Sequence, residues 1–329
     1  MKKIEFIYLS QEDILDMNIG LMEIIDLVET GLKEHGRGRV ENPPKPGIHS
    51  KSNSFIHAMP AYYKDLNIGG LKWVSGYPDN RDLGLPQILG LLILNDMNTG
   101  IPLCVMDCRW ITAVRTAAVT GITAKYCAKR NASTLGIIGT GVQGKYNLLA
   151  LKEVIRSIER VKIFDIRREA AENYRDELSK KSGVQITIGE NVESVSRGSD
   201  ILLTATQKLE KPLIKNEWFE KGCLGIGLEG SRAWSGEAIL RADKFITDDW
   251  EQTKYYQTQG SFADGLPSRY TEIGKIICGL KPGRENDDER ILAISPGLAI
   301  EDMIVANHLY QVAKGKNIYR RLPLMEKEI

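Results

Sequence analysis

Three closely spaced glycines follow an apolar, β-type stretch in "TLGIIGTGVQGKYNLL", residues 134–149. Gly139, Gly141 and Gly144 form the pattern G-x-G-x-x-G between a predicted strand and a predicted helix. In this context backbone N–H groups approach a pyrophosphate closely, and the helix N-terminus favours its negative charge. The motif therefore predicts that a dinucleotide binds where this helix begins.

An acidic residue lies where the next predicted strand ends. Asp165 follows Gly144 by 21 residues, in "VKIFDI". A carboxylate there accepts hydrogen bonds from an adenosine ribose and repels a 2′-phosphate, which favours NAD. Arg167 and Arg168 follow closely and would offset part of this repulsion. NAD is the predicted cofactor, and NADP is the weaker alternative.

A second glycine pattern occurs in "GIGLEG", at Gly225, Gly227 and Gly230. The segment before the next strand offers only a short helix around "GEAILRA", which is less than a comfortable crossover. We interpret this pattern as a glycine-rich strand end beside the ligand, where small residues leave room, rather than as a second nucleotide site.

Two basic residues stand in apolar surroundings. Lys72 lies inside the strand pattern "GGLKWVSG", and Arg115 begins a helix of small residues in "WITAVRTAAVTG", followed by Thr116. Lys72 is either an outward-facing residue of a half-exposed strand or, in a cleft, a proton-transfer group with a lowered pKa. Arg115 is either part of a surface ion pair or a fork that grips a substrate carboxylate. The residues alone leave both alternatives open.

The composition limits the classes of protein. The chain has 329 residues, 42% apolar and 26% charged, with a formal charge of +1, so neither nucleic acid nor an anionic membrane is an expected partner. Five scattered cysteines without CxxC spacing and four unclustered histidines predict reduced thiols and no metal site. The N-terminus has only a short apolar run, so we expect a cytoplasmic protein.

The order of predicted elements changes near residue 113. Before it, "SQED" predicts a capping box, and "SFIHAMPAYY", "IGGLKWVSGY" and "QILGLLILND" predict a largely antiparallel sheet. After it, apolar strands such as "TLGIIG", "VKIFDI" and "DILLTAT" alternate with helices, which predicts a parallel sheet with crossover helices. "LAIEDMIVANHLYQVAKG" predicts a long final helix. The fold class is α/β with a Rossmann-type parallel sheet.

Six motifs in this order resemble the ornithine cyclodeaminase and mu-crystallin family: "AMPAYY", "GLKWVSG", "ITAVRTAA", "GIIGTGVQG", "SDILLTAT" and "SPGLAIEDM". The resemblance covers nearly the whole chain. It implies a Rossmann domain over 115–302, a discontinuous α+β substrate-binding and dimerisation domain over 1–114 completed by 303–329, and a homodimer. The family's shared chemistry is hydride exchange between a nicotinamide and the Cα–N carbon of an amino or imino acid.

The resemblance also implies roles for particular residues. In the family, the lysine and arginine that match Lys72 and Arg115 contact the substrate carboxylate region, and Lys72 would polarise the substrate or carry a proton. The residues expected to contact the dinucleotide are Arg115, Thr116, Gly139, Thr140, Gly141, Val142, Gln143, Gly144, Asp165, Ile166, Arg167, Thr204, Ala205, Thr206, Gly227 and Ser295.

Three positions depart from the cyclodeaminase pattern. Lys45, in "PPKPG", stands near where an arginine is expected and would support Arg115 in binding the carboxylate. His57 replaces a glutamate that helps to hold ornithine, and a protonated imidazole would repel the ammonium of ornithine. Glu229 is the nearest candidate for the catalytic aspartate, as a second acid or base. These departures argue against ornithine and favour a neutral, N-substituted or acidic amino acid.

The resulting hypothesis is an NAD-dependent oxidoreductase that acts at the Cα–N bond of a small amino or imino acid, as an amino acid dehydrogenase or ketimine reductase. Two alternatives stay open. One is an ornithine cyclodeaminase-type ammonia lyase that uses NAD catalytically. The other is a non-catalytic, NAD-dependent small-molecule binding protein.

Overall fold

The first helix begins at a capping box, as the sequence predicts. In this computed structural model, which describes residues 3–51, 53–207 and 209–326, the Ser10 hydroxyl accepts a hydrogen bond from the Asp13 N–H. The Asp13 carboxylate in turn accepts one from the Ser10 N–H at 2.8 Å. The two residues thereby satisfy donors that the start of a helix leaves without a backbone partner.

The elements up to residue 127 comprise one strand, two helices, six further strands and a long helix, with a 3-10 segment at Pro78–Leu83 between the fifth and sixth strands. They are β1 (Ile4–Leu9), α1 (Gln11–Asp16), α2 (Leu21–Gly36), β2 (Val40–Glu41), β3 (Gly47–Ile48), β4 (Phe55–Tyr63), β5 (Ile68–Gly76), β6 (Ile88–Asp96), β7 (Pro102–Asp107) and α3 (Arg109–Cys127).

The remaining elements largely alternate between strands and helices, with a 3-10 segment at Asn216–Trp218. They are β8 (Thr134–Ile138), α4 (Val142–Val154), β9 (Arg160–Phe164), α5 (Arg168–Ser182), β10 (Gln185–Ile188), α6 (Val192–Ser196), β11 (Ile201–Thr204), β12 (Leu224–Gly227), α7 (Gly236–Leu240), β13 (Lys244–Thr247), α8 (Trp250–Thr258), β14 (Tyr270–Glu272), α9 (Ile273–Ile277), β15 (Ile291–Ile294), α10 (Ala299–Lys316) and β16 (Arg320–Met325).

These elements form two compact units. The first unit joins the residues up to Arg115 to those from Leu298 onward, and the second unit is Thr116–Gly297. The first unit contains a sheet in the order β16-β1-β7-β6-β5-β4-β2, with β3 also paired to β4. Its pairs are antiparallel except β1 with β7, in agreement with the predicted, largely antiparallel sheet.

The C-terminal strand β16 is an element that the sequence patterns did not predict. Its sequence "RRLPLM" contains a proline and two arginines, which are unfavourable inside a sheet. It pairs antiparallel with β1 at one end of the strand order, and an edge position tolerates a proline because no further strand needs its N–H.

Helix α10 packs against β4, β5 and α2 in the first unit. It is apolar on most of its surface, so it is buried rather than amphipathic. Gly70 on β5 lies where a side chain would collide with its neighbours. A Cβ there would lie 2.0 Å from the Ile93 carbonyl oxygen and 3.1 Å from Met303 Sδ of the helix. The close approach of the Ile93 backbone on β6 therefore requires glycine at this position, and the Met303 side chain of the helix also lies close to it.

The second unit contains a parallel sheet in the order β10-β9-β8-β11-β12-β15-β13-β14. The chain moves outward from β8 to β10 and then returns to the other side of β8 with β11. Ligands of such sheets bind at the carboxyl ends of the strands where the order reverses. The loop after β8, which carries the three glycines, lies at this point, and the α/β fold with a Rossmann-type sheet is confirmed.

Within the described residues, no helix combines the length and the apolar character that a bilayer-spanning helix needs.

The buried Glu34 on α2 forms ion pairs whose contribution to the stability of the first unit can be measured by substitution. Its buried carboxylate accepts hydrogen bonds from Arg37 and Arg39, and these outweigh the effect of burial and lower its pKa. We expect Glu34→Gln to reduce the free energy of unfolding by about 1–3 kcal/mol at neutral pH, because the hydrogen bonds lose their charge. Urea denaturation measures this difference.

The pH dependence of this effect has a definite sign. A carboxylate whose pKa is lowered on folding stabilises the protein above its unfolded pKa and loses this contribution as the pH falls through the folded pKa. The difference between Glu34→Gln and the wild type should therefore shrink below the ordinary pKa range of glutamate. A difference that stays constant down to strongly acidic pH would contradict this assignment.

Candidate functional site

Lys72 lies on the inner face of the sheet in the first unit. Side chains alternate along β5, so Lys72 and Val74 are buried while Trp73 between them is exposed. The Lys72 side chain has no solvent exposure, and its Nζ donates a hydrogen bond to Asp302 Oδ1 at 2.6 Å. The alternative of an outward-facing lysine is therefore wrong.

Arg115 lies on α3 and points into the same cluster. Its NH1 donates a hydrogen bond to Glu301 Oε2 at 2.7 Å, and its Nε lies 3.3 Å from Asp302 Oδ1. The Arg115 side chain is 10% exposed, so the alternative of a surface ion pair is also wrong. We call Lys72, Arg115, Glu301 and Asp302 the buried charge cluster.

Glu301 and Asp302 are site residues that the sequence patterns did not identify. Both residues belong to the first turn of α10, and both are fully buried. A signal was present, because two consecutive acids interrupt the otherwise apolar pattern "LAIEDMIVANHL". Acidic residues in a first helical turn are common for reasons of helix stability, so the pattern alone did not distinguish a structural role from a functional one.

Burial changes the acid–base chemistry of this cluster. It lowers the pKa of Lys72 to about 8, although the carboxylate of Asp302 opposes this shift. Burial also raises the pKa of Glu301, a shift that Arg115 opposes. Lys72 can therefore exchange a proton close to neutral pH, as a general acid or base requires.

The positive charges of Lys45 and Lys72 act on the ring of His57. The His57 ring stacks on Phe55 at 4.2 Å between centroids, and Gly47 makes room for it, since a Cβ there would lie 2.6 Å from the ring. Burial and the nearby charges of Lys45 and other basic groups lower the pKa of His57 to about 3. The expected repulsion by a protonated His57 is therefore wrong, because the imidazole is neutral at neutral pH.

The three glycines of the G-x-G-x-x-G motif are each required or favoured by a different feature of the local geometry. Gly139 has a φ of 100°, and a Cβ there would lie 2.4 Å from the Ala205 oxygen. A Cβ on Gly144 would lie 2.3 Å from the Gly139 oxygen, so this glycine lets α4 pack on the loop. Gly141 caps α4 and faces open space. A ligand can therefore approach the backbone at Gly141, and the loop fits a dinucleotide pyrophosphate.

Asp165 is fixed beside this loop. Its Oδ2 accepts hydrogen bonds from the Thr140 N–H and hydroxyl, both at 2.9 Å, and its Oδ1 accepts one from the Arg167 N–H at 3.0 Å. The neighbouring Ile166 side chain is 91% exposed. A fixed carboxylate next to an exposed apolar side chain suits an adenosine, with the ribose on the former and the base on the latter.

Glu229 connects the loop after β12 to the end of β11. Its carboxylate accepts hydrogen bonds from the hydroxyls of Thr204 (3.0 Å) and Thr206 and from the Thr206 N–H. Burial raises its pKa, and these hydrogen bonds oppose the shift. The contacts of Glu229 hold the ends of two strands together, and its role as a second acid or base stays a prediction.

The second glycine pattern accommodates a tryptophan. A Cβ on Gly225 would lie 2.4 Å from the Trp234 ring, and one on Gly227 would lie 3.0 Å from its Nε1. Trp234 is buried, and its Nε1 donates a hydrogen bond to Thr204 Oγ1 at 3.1 Å. The glycines do leave room, as expected, but this room is filled by the protein itself.

The other predicted cofactor contacts lie at element ends of the second unit. Val142 and Gln143 are in the first turn of α4, and Ala205 follows β11. Ser295 follows β15, whose Ile294 is paired with Gly227. Thr116 is the first residue of this unit. All of these except Thr116 lie at the carboxyl ends of strands or at the helix start after β8.

Comparisons with known proteins agree with this geometry. The sequence pattern of the ornithine cyclodeaminase/mu-crystallin family matches residues 7–317. The alanine dehydrogenase of Archaeoglobus fulgidus is 36% identical over 322 residues, 95% of this chain and 97% of that protein.

Two solved structures are similar over nearly their whole length, each with a TM-score of 0.86. One is Thermococcus litoralis Delta(1)-pyrroline-2-carboxylate reductase in complex with NADH and L-proline, at 33% identity, covering 96% of this chain and 99% of that one. The other is an archaeal alanine dehydrogenase dimer with bound NAD, at 35% identity, covering 98% and 100%. The chain belongs to the ornithine cyclodeaminase/mu-crystallin family.

Proposed function

We propose that the protein is an NAD-dependent oxidoreductase that acts at the Cα–N bond of a small amino or imino acid. The observation that carries the proposal is the buried charge cluster, in which Lys72 is fully buried and has a pKa of about 8. A binding protein gains nothing from a buried lysine poised to lose its proton, whereas proton transfer requires one. The relatives named as an alanine dehydrogenase and a pyrroline-2-carboxylate reductase support the same chemistry.

In the oxidative direction the amino acid loses a hydride from Cα and a proton from nitrogen, and a C=N bond forms. The nicotinamide, when bound, supplies the hydride acceptor. Arg115, with Lys45, binds the substrate carboxylate through charge-assisted hydrogen bonds. Lys72 takes up the nitrogen's proton, and it returns this proton when the imino acid is reduced.

NAD is the proposed cofactor, held by the glycine loop and Asp165. The carboxylate is already oriented by Thr140, so it can accept hydrogen bonds from a ribose without reorganisation. Arg167 and Arg168 line a depression of about 490 Å³ next to Thr140. These arginines would tolerate a 2′-phosphate, whereas the Asp165 carboxylate would repel it. The relative affinities for NAD and NADP therefore measure which of these two effects is larger.

The loop glycine Gly144 provides a test of dinucleotide binding. We expect Gly144→Ala to weaken NAD binding by about tenfold or more, because overpacking against the Gly139 oxygen costs about 1–3 kcal/mol and displaces the loop. Isothermal titration calorimetry measures the affinity. The control is Gly315→Ala, a helical glycine whose added Cβ meets nothing within 4 Å. Unchanged NAD affinity in Gly144→Ala would place the dinucleotide elsewhere.

Lys72 and Arg115 provide a test of the reaction. We expect Lys72→Met and Arg115→Leu to lower kcat/KM on the order of a hundredfold or more, through loss of a proton carrier and of a carboxylate partner. NAD affinity should stay unchanged in Lys72→Met, because Lys72 is not among the expected dinucleotide contacts and the glycine loop belongs to the other unit. Lys64→Met, at an exposed lysine of the same unit, is the control.

The assay follows absorbance of NADH with alanine, proline, glutamate, N-(carboxyalkyl) amino acids, lysine and ornithine, and the reverse reaction with the imino acids. Steady accumulation of NADH supports a dehydrogenase. Proline and ammonia formed from ornithine, without net NADH and with the highest kcat/KM of the panel, would show a cyclodeaminase instead. NAD binding without turnover of any substrate would favour the binding protein.

We also propose that the protein is a homodimer formed through the outer face of the sheet in the first unit. Trp73 and Leu91 are paired across β5 and β6 and are 42% and 46% exposed, and Leu71 and Ile93 flank them. A contiguous apolar face of this kind typically marks an interface, and a second copy of the same face is complementary to it. One similar solved structure is named as a dimer.

The oligomeric state tests this interface directly. Light scattering at micromolar concentration should give twice the mass of the chain, and Leu91→Glu should give a monomer, because the interface would bury a charge without a partner. Leu240→Glu is a matched control, since Leu240 is 45% exposed on α7 of the other unit. A monomeric wild type, or a dimer that Leu91→Glu leaves intact, would contradict the proposal.

A further inference from the structure

The proposed reaction gives no role to the two acids of the buried charge cluster. Glu301 and Asp302 are completely buried, which is costly for carboxylates. Among the described residues, Glu301 Oε1 and Asp302 Oδ2 have no hydrogen-bond partner. Each acid thus contacts a basic residue through one oxygen and leaves the other without a partner among those residues, which is less complete than a purely structural ion pair usually is.

One oxygen atom connects the two basic residues. Asp302 Oδ1 lies 2.6 Å from Lys72 Nζ and 3.3 Å from Arg115 Nε. An ammonium on a flexible four-carbon chain has no preferred direction of its own. A short, fully desolvated contact therefore determines where the nitrogen of Lys72 lies and how strongly it holds its proton.

Two other ionisable groups near Lys72, Cys108 and His57, do not affect its charge around neutral pH. Burial raises the pKa of Cys108 to about 11, and burial lowers the pKa of His57 to about 3, so both are neutral there. Arg115 remains charged and destabilises the Lys72 ammonium. Among the groups that act on Lys72, Asp302 is thus the one that favours its charged form.

We infer that Asp302 is a positioning residue that orients the Lys72 amine and sets its charge for proton transfer, and that Glu301 orients Arg115. This inference rests on the proposed function, because it gives Lys72 the proton-carrying role. Neither acid touches the reacting atoms in this scheme. Both act through the basic residue that they contact.

The direction of the effect follows from electrostatics. Removal of a negative charge destabilises the ammonium and lowers the pKa of Lys72 further. If turnover requires neutral Lys72, the acidic limb of the pH profile moves to lower pH. If turnover requires charged Lys72, the basic limb moves to lower pH. The limb that reports Lys72 moves in the same direction in both cases.

The experiment compares pH profiles of kcat/KM for the wild type and Asp302→Asn, with the best substrate of the panel and saturating NAD. We expect the Lys72 limb to move down by about one to three pH units, the usual effect of losing an adjacent opposite charge. Asp302→Glu keeps the charge and should restore the wild-type limb in part. A merely structural role would lower the rate without moving the limb.

A second measurement is independent of turnover. The Lys72 amine of protein labelled with ¹³C at the lysine Cε is titrated by NMR, and its signal is assigned by its loss in Lys72→Met. Asp302→Asn should lower the measured pKa, and Asp302→Ser serves the same purpose if the Asn variant does not fold. An unchanged Lys72 pKa in a folded variant overturns the inference, even if the wild type turns over no substrate and the proposed function fails.

Two variants control for the loss of a buried acid. Glu34→Gln removes a buried carboxylate that contacts Arg37 and Arg39, and it should leave the Lys72 limb in place. Glu301→Gln removes the partner of Arg115, and we expect it to raise KM more than it changes the pKa of Lys72. A shift of the Lys72 pKa in Glu34→Gln as large as in Asp302→Asn would show a nonspecific effect and overturn the inference.

Discussion

The buried contact between Lys72 and Asp302 is a charged constraint inside an otherwise apolar part of the first unit. Removing both charges from water costs on the order of several kcal/mol per ion, and apolar residues of similar volume are often at least as stable at such positions. The surrounding positions, such as Val74 and Leu92, are apolar and buried. Retention of an ion pair here is therefore better explained by the chemistry of the amine than by a contribution to stability.

The fold meets this requirement with two elements that are distant in sequence. The partners are 230 residues apart, one in the middle of β5 and the other in the first turn of α10. Contact requires the helix to lie close to the sheet, and the helix residue Met303 lies beside Gly70, two residues before Lys72. The positive end of the helix dipole also favours acids in this turn. A buried apolar helix thus delivers a charged end to one point of an apolar sheet face.

The sequence predicted local features well because neighbouring residues determine them. The strand–loop–helix geometry of the glycine motif, the place of Asp165 at the end of the next strand and the capping box at Ser10 each depend on a few consecutive residues, and the structure agrees with this geometry. The partner of Lys72 could not be found in this way, because no local pattern connects β5 to α10. The alternation of β5 was compatible with either direction for Lys72, and only packing by α10 resolves this ambiguity.

Tertiary contacts also explain features that local sequence patterns could not show. The strand character of β16 comes from its pairing with β1 rather than from its own residues. The glycines of "GIGLEG" serve Trp234, which follows them by a few residues and folds back against β12. The effect considered for His57 was that of a protonated imidazole, whereas burial beside basic groups lowers its pKa to about 3 and keeps the ring neutral. In each case the environment overrides the intrinsic property of the residue.

A neutral His57 changes the physical reason for disfavouring a cationic side chain. Repulsion no longer contributes, so discrimination must come from desolvation. An ammonium placed next to His57 would lose its hydration, and a neutral imidazole beside Lys45 and Lys72 cannot replace it with a negative charge. The same surroundings make an uncharged side chain inexpensive to bury and leave the basic groups for the carboxylate. We therefore expect discrimination against ornithine to come from the missing counter-charge at position 57.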